Sequence, residues 1–290
     1  MNRRSFLGFV SGTVLCSPTA TTARSVANAV TARPTAPGWE LVLDDRFESD
    51  ELNRDIWSIG WGWGRSTSTS PTRIVPDNVR VDDDTLRLVG THDSDSILSG
   101  AVNTKDKVLF EPDAYLEARL RFAHRTGFQN AFWSKANSEA WPPEIDVVER
   151  WQDRDIEIPR VTRHHLHYSS SMIPGDDSTH QNAGFPYTPG GDVSETFHHY
   201  GVEWRRDRIV HYVDGLPVRV WTDGTMLRAM ARAAPFYAML SLNINNIGTA
   251  DTSVPWGESM DVDRVRLWQA RDSADSETGL LNDGYGLRRR

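Results

Sequence analysis

Residues 144–149, Glu-Ile-Asp-Val-Val-Glu, set three carboxylates on what reads as one β-strand, entered through Trp141-Pro142-Pro143. Side chains alternate faces along a strand, so Glu144 and Asp146 share a face while Glu149 falls on the other. A regular strand therefore cannot gather the three. One bulged residue at Val147 or Val148 returns Glu149 to the shared face, and bulges of this kind occur beside active sites. The Cα atoms of Glu144 and Glu149 then lie roughly 13 Å apart at about 3.3 Å per residue. Inward-leaning side chains narrow the carboxyl gap to about 5–6 Å, the separation of a retaining double displacement at a glycosidic bond. That chemistry needs one ionised and one protonated carboxyl, and Asp146 sits where it can push the proton affinities of its neighbours apart. The competing reading is a solvated acidic strand or a cation site.

The rest of the chain reads as short strands with turn signals between them. Leu116, Ala118, Leu120 and Phe122 alternate with Tyr115, Glu117, Arg119 and Arg121, which predicts one face toward the core and one toward solvent or a cleft. Asp214-Gly215 between two β-rich runs is a hairpin turn. A short helix near Met226–Ala233 is the only one expected. No period of 20–50 residues repeats, and 290 residues with 11 tryptophans suffice for one large core. These patterns predict an all-β antiparallel sandwich or barrel in a single domain.

Aromatic rings match the apolar face of a pyranose, so Trp133 and Trp141, flanking the carboxylate strand, are candidate sugar platforms. Core packing is the alternative for both. Trp61 and Trp63, in Gly60-Trp61-Gly62-Trp63-Gly64, sit in a glycine-rich loop expected to bury little and to offer both rings as an exposed sugar platform. His164, His165 and His167 invite a zinc reading, but only His165 and His167 share a strand face, and no further His or Cys pattern accompanies them.

The carboxylate run resembles the catalytic strand of glycoside hydrolase family 16, in the branch of laminarinases, agarases and carrageenases that carries the bulged Glu-x-Asp-x-x-Glu. Other segments resemble the family in the same order: Trp39 to Phe47, the Ser99-Gly100 strand, Tyr115-Leu116-Glu117-Ala118-Arg119, Ala131-Phe132-Trp133, Phe197 to Trp204 with Tyr212-Val213-Asp214-Gly215, and Ser259 to Arg266. The likeness spans about residues 39–270. Pro143 departs from it, standing where the family usually has Gly. A proline is tolerated at a strand start, so the fold is unaffected.

The resemblance implies a concanavalin-like jelly-roll β-sandwich of two curved antiparallel sheets, with the cleft on the concave one. It implies Glu144 as nucleophile, Asp146 as assisting residue and Glu149 as general acid/base. It places His167 beside the catalytic strand, where it would bond a sugar hydroxyl or a carboxylate, and leaves His198 and His199 structural. It implies no cofactor for catalysis, and a structural calcium near Asp44 and Asp261 with Asp45 and Asp263 as neighbours. The expected activity is retaining endo-hydrolysis of a β-linked polysaccharide, a β-1,3- or β-1,3/1,4-glucan first. An agar-type galactan hydrolase or a transglycosylase of the same fold is the alternative, and a non-catalytic carbohydrate-binding module is the alternative of another class.

The N-terminus carries Arg3-Arg4 before an apolar run to Leu15, which reads as a twin-arginine signal peptide over residues 1–29, followed by a linker at 30–37. The catalytic domain is expected over 38–270 and a polar tail over 271–290. The apolar run is too short for a membrane span. Cys16 is the only cysteine, so no intramolecular disulfide forms. A net charge of −8 argues against nucleic acid and strongly sulfated polymers as partners. A secreted monomer acting on a polysaccharide is expected.

Overall fold

The computed structural model describes residues 38–67, 70–93, 95–151, 160–244 and 252–270. The expected signal peptide, linker and tail, with Cys16, lie outside these residues. Two eight-stranded antiparallel sheets stack face to face. One runs, in order, Leu216–Trp221, Ile209–Val213, His198–Trp204, Ala114–Arg121, Ser259–Ala270, Thr85–Val89 and Val79–Asp82, with Trp39–Asp45 also pairing onto Ser259–Ala270. The other runs His180–Tyr187, Thr162–Ser169, Glu144–Trp151, Phe128–Ala136, Phe236–Ile244, Ala101–Asn103 and Ser58–Ile59, with Leu109–Phe110 also pairing onto Phe236–Ile244. The carboxylate strand is thus central in its sheet, which gives it partners on both sides.

Apolar residues of both sheets meet in one core. Ile145, Val147 and Val148 reach it from the carboxylate strand, and Leu116, Ala118 and Leu120 from the opposite sheet. The second face of Tyr115–Arg121 is not left to solvent as the alternation suggested. Tyr115 and Glu117 are both 2% exposed, because flanking strands and Trp268 cover them. Glu117 is accommodated there by Tyr115 Oη at 2.9 Å, His199 Nδ1 at 3.3 Å and Arg266. Those partners hold its carboxyl below the usual range although burial alone would raise it.

Asp214 (φ 49°) and Gly215 (φ 78°) form the expected tight turn, both residues left-handed as a two-residue hairpin requires. The expected helix spans Gly224–Arg232, its first turn capped by Asp223, whose Oδ1 accepts from the Met226 amide at 2.8 Å. No helix among the described residues is long and apolar enough to cross a membrane.

Candidate active site

The bulge falls at Val147. Toward Phe128–Ala136, Phe132 pairs with Val148 and Trp133 with Asp146, so Val147 is the unmatched residue. Toward Thr162–Ser169, His165 faces Asp146 and Arg163 faces Glu149, so that His164 alone opposes both Val147 and Val148. The extra residue brings Glu149 to the face of Glu144 and Asp146, and all three line one cleft.

Bulging strips carbonyls of ladder partners, and buried carbonyls need replacements. Two histidines from different sheets provide them. His164 Nδ1 donates to the Val147 carbonyl at 2.6 Å, and His211 Nε2 donates to the Asp146 carbonyl at 3.0 Å. Trp221 Nε1 then donates to His211 Nδ1 at 3.1 Å. Burial holds both rings neutral, pushing His164 down to about 4 and His211 well below its ordinary value.

Within the cleft the three acids differ in surroundings. Asp146 is 2% exposed, while the Glu144 side chain keeps 16% of its surface in solvent. Burial, then repulsion from Asp146, pushes Glu144 well above the usual carboxylate range. Burial and repulsion from Glu149 push Asp146 up as well, partly offset by a hydrogen bond with Glu144. One proton shared by this pair relieves the repulsion, and the more buried Asp146 is its better resting place. Lys135, opposite Glu144 in register, supplies opposing positive charge that favours the Glu144 anion.

Glu149 is held by two side chains. Gln129 Nε2 donates to Oε1 at 3.0 Å, and His165 Nδ1 lies 3.1 Å from Oε2. Asn243 Nδ2 donates to Gln129 Oε1 at 3.3 Å, which turns the amide nitrogen toward Glu149. The His165 ring lies over Gly184, where an added Cβ would come within 1.8 Å of its Cδ2. His167, opposite Glu144, points Nε2 at Asp146 Oδ2 (3.3 Å) and Glu144 Oε1 (3.8 Å), with Nδ1 at 2.8 Å from His180 Nε2. Gln129 and Asn243 escaped sequence reading, although Gln129 stands on the Trp133 face of its strand at even spacing. His180 carried no local signal, since only sheet register brings it to His167.

Trp133 lines the cleft, donating from Nε1 to Ser241 Oγ at 3.1 Å. Trp63 also lines it and is 44% exposed. Trp61 lines the cleft too, but its exposure departs from expectation: it is only 7% exposed, stacked beneath Trp63 with centroids 5.7 Å apart and planes 8° apart. The loop closes on itself through Trp61 and Gly64, and Gly62 packs so tightly on Tyr237 that a Cβ would meet its Oη at 2.0 Å. Glycine here lets a loop bury a ring instead of exposing it. Trp141 stands on the opposite flank, 4.8 Å from the His180 ring and 6.0 Å from that of His167.

The expected calcium residues are not assembled as a site. Asp44 takes two hydrogen bonds from Arg264, at 2.7 and 2.8 Å, whereas Asp261 pairs with Arg121 at 2.5 Å farther along the same strand partner. Asp263 pairs with Arg119. Arginine therefore supplies the charge that a cation would have supplied. His198 and His199 lie in the other sheet on Asp214 and Glu117, in structural roles as expected.

A family model described as glycosyl hydrolases family 16 matches residues 69–266. Over 159 residues the chain is 30% identical to the endo-1,3-1,4-beta-glycanase ExsH of Rhizobium meliloti, covering 53% of this chain and 30% of that protein. It is 26% identical to a beta-glucanase of Brevibacillus brevis over 183 residues, covering 61% of this chain and 64% of the relative. The chain thus spans under a third of the length of the first curated relatives it matches. Among solved structures, the endo-beta-1,3-glucanase of Pyrococcus furiosus superposes with a TM-score of 0.64 at 27% identity, covering 80% of this chain and 95% of that one. The laminarinase catalytic domain of Thermotoga maritima superposes at 0.66 with 22% identity, covering 81% and 99%, a likeness of fold.

Proposed function

The chain belongs to family 16 of the glycosyl hydrolases, and from that premise we propose that it is a retaining endo-glycosidase cutting inside a β-1,3- or β-1,3/1,4-linked glucan. The observation that carries this reading is the bulge at Val147, which gathers Glu144, Asp146 and Glu149 in one cleft beside a tryptophan wall. The names of the relatives supply the glucan.

In the first step Glu144 attacks the anomeric carbon, the bond from that carbon to the glycosidic oxygen breaks, and Glu149 gives its proton to the departing oxygen. In the second, Glu149 takes a proton from water, whose oxygen bonds the anomeric carbon and releases Glu144. Asp146 holds the proton of the Glu144–Asp146 pair and so leaves Glu144 ionised for attack. Gln129 and His165 aim the Glu149 carboxyl at the leaving oxygen. Trp63 and Trp133 hold sugar faces. No cofactor enters either step.

Purified protein offered laminarin, lichenan, agarose, carrageenan and xyloglucan is expected to release reducing oligosaccharides from the first two. Proton NMR of the earliest product is expected to show the β-anomer. Activity confined to a galactan would remove the glucan assignment, and an initial α-anomer would remove retention. The reading includes monomeric action outside the cell after export directed by residues 1–29. N-terminal sequencing of protein from the culture medium tests the export step.

The site also stores strain. Asp146 and Glu144 bind a proton in the fold at pH values where the unfolded chain has lost it, so their contribution to stability falls as pH rises toward neutrality. Asp146→Asn takes away the ionisation that favours the unfolded chain at neutral pH, since this carboxyl is held well above its ordinary range in the fold. It is expected to stabilise the fold at neutral pH by about 1 kcal/mol while lowering turnover, the usual exchange at a strained site. A lower denaturation midpoint in urea would contradict this.

A further inference from the structure

We infer that the cleft is also a site for a borderline divalent transition-metal ion of the zinc class, held by His165, His167 and Asp146, and that an ion bound there blocks the cleft. Neutral imidazoles and a carboxylate are the donor types this class of ion prefers. One ligand atom from each of the three residues lies within 4.8 Å of the others.

The spacing of neighbouring donors is already near that around a metal. Bonds of about 2.0–2.2 Å in a tetrahedron set donors about 3.3–3.5 Å apart. His167 Nε2 stands 3.3 Å from Asp146 Oδ2, and His165 Nδ1 stands 3.1 Å from Glu149 Oε2. The widest gap, at most 4.8 Å, closes by about 1.5 Å when the imidazoles turn inward.

Two independent observations point to a ligand. Asp146 is 2% exposed, and its Oδ2 is a buried oxygen without a hydrogen-bond partner. Such an atom is rare in a native fold. His167 has the outer support typical of a metal-binding imidazole: His180 engages Nδ1 at 2.8 Å, which leaves Nε2 facing Asp146. The stacked His167 and His180 rings, 16° from coplanar, fix that orientation. A cation here would also neutralise the repulsion among three clustered carboxylates.

Binding does not depend on the hydrolytic reading, whereas inhibition does, so binding is measured directly. Protein without a histidine tag is titrated with zinc chloride by calorimetry, and with cobalt chloride while its visible absorption is followed. One zinc ion per chain is expected, with cobalt giving the intense bands of a four-coordinate site. His165→Gln and His167→Gln are each expected to weaken zinc binding by about 100-fold, since loss of even an outer-shell partner costs roughly 10–100-fold. Should either variant misfold by circular dichroism, Asp146→Asn tests the same site by removing the orphaned oxygen. Zinc binding as tight in these variants as in the parent, or none in the parent up to millimolar zinc, would overturn the site. With binding established, zinc is expected to inhibit glucan cleavage and laminarin oligosaccharides to weaken zinc binding. Full activity with zinc bound would overturn the blocking role alone.

Discussion

Glu144→Gln is expected to lower turnover on a glucan by about 10⁴-fold or more while leaving oligosaccharide binding within a few-fold of the parent. An amide at this position cannot bond the anomeric carbon, whereas the tryptophan wall that holds the sugar is unaltered. Glu149→Ala is expected to cost roughly 10²–10⁴-fold on the same substrate, the range for a general acid. The two losses differ in kind. With an aryl glycoside whose leaving group needs no proton, Glu149→Ala recovers much of its first step, and azide then takes the place of base-activated water to give a β-glycosyl azide. With Glu144→Ala, azide attacks directly and gives the α-product. Reducing-sugar assays, binding calorimetry and product NMR measure these outcomes. Unchanged turnover in Glu144→Gln, or azide products of the opposite anomeric form, would reverse or remove the assignments.

The second large effect is on stability in acid. His164 is buried, and its folded pKa lies at about 4, below the ordinary 6.5 of the unfolded chain. Its contribution is fully present above 6.5 and is lost as pH falls toward 4, because the unfolded state takes up the proton first. The gap corresponds to about 3 kcal/mol at 1.36 kcal/mol per pKa unit. His211 adds to the loss in the same direction. The Glu144–Asp146 pair acts oppositely over this range, so a variant is needed to isolate the histidine. His164→Asn keeps a nitrogen donor for the Val147 carbonyl and removes the titration. Urea unfolding of both proteins from neutral pH down to about 4 is expected to show a shallower fall for the variant. Equal slopes would mean that His164 is not the titrating group.

Local rules carried much of this protein. Period-two alternation along residues 144–149 conflicted with three acids on one face, and the conflict located the bulge. The Asp214-Gly215 turn and the helix after Asp223 were legible because both are set by residues adjacent in sequence. Trp61 lines the cleft but is not exposed as its loop suggested, because a ring's burial depends on what lies beneath its loop, and Tyr237 comes from a distant strand. The arginine partners of Asp44 and Asp261 were invisible for a similar reason, since Arg264 and Arg121 reach these acids by sheet pairing. No local signal could have assigned His164 and His211 to the bulge carbonyls, which exist as unpaired groups only once the strand is bulged and covered by a second sheet.

The sequence by itself determined the strands, their faces, the need for a bulge and the three acids, because side-chain alternation and turn chemistry act over a few residues. Tertiary structure alone decided which neighbours hold those acids. Gln129 and His165 on Glu149, His167 on Asp146 and Lys135 beside Glu144 all follow from the register between the carboxylate strand and the strands paired on either side of it. Proton affinity in the cleft depends on burial and on charges across those strands, which no run of residues along one strand encodes.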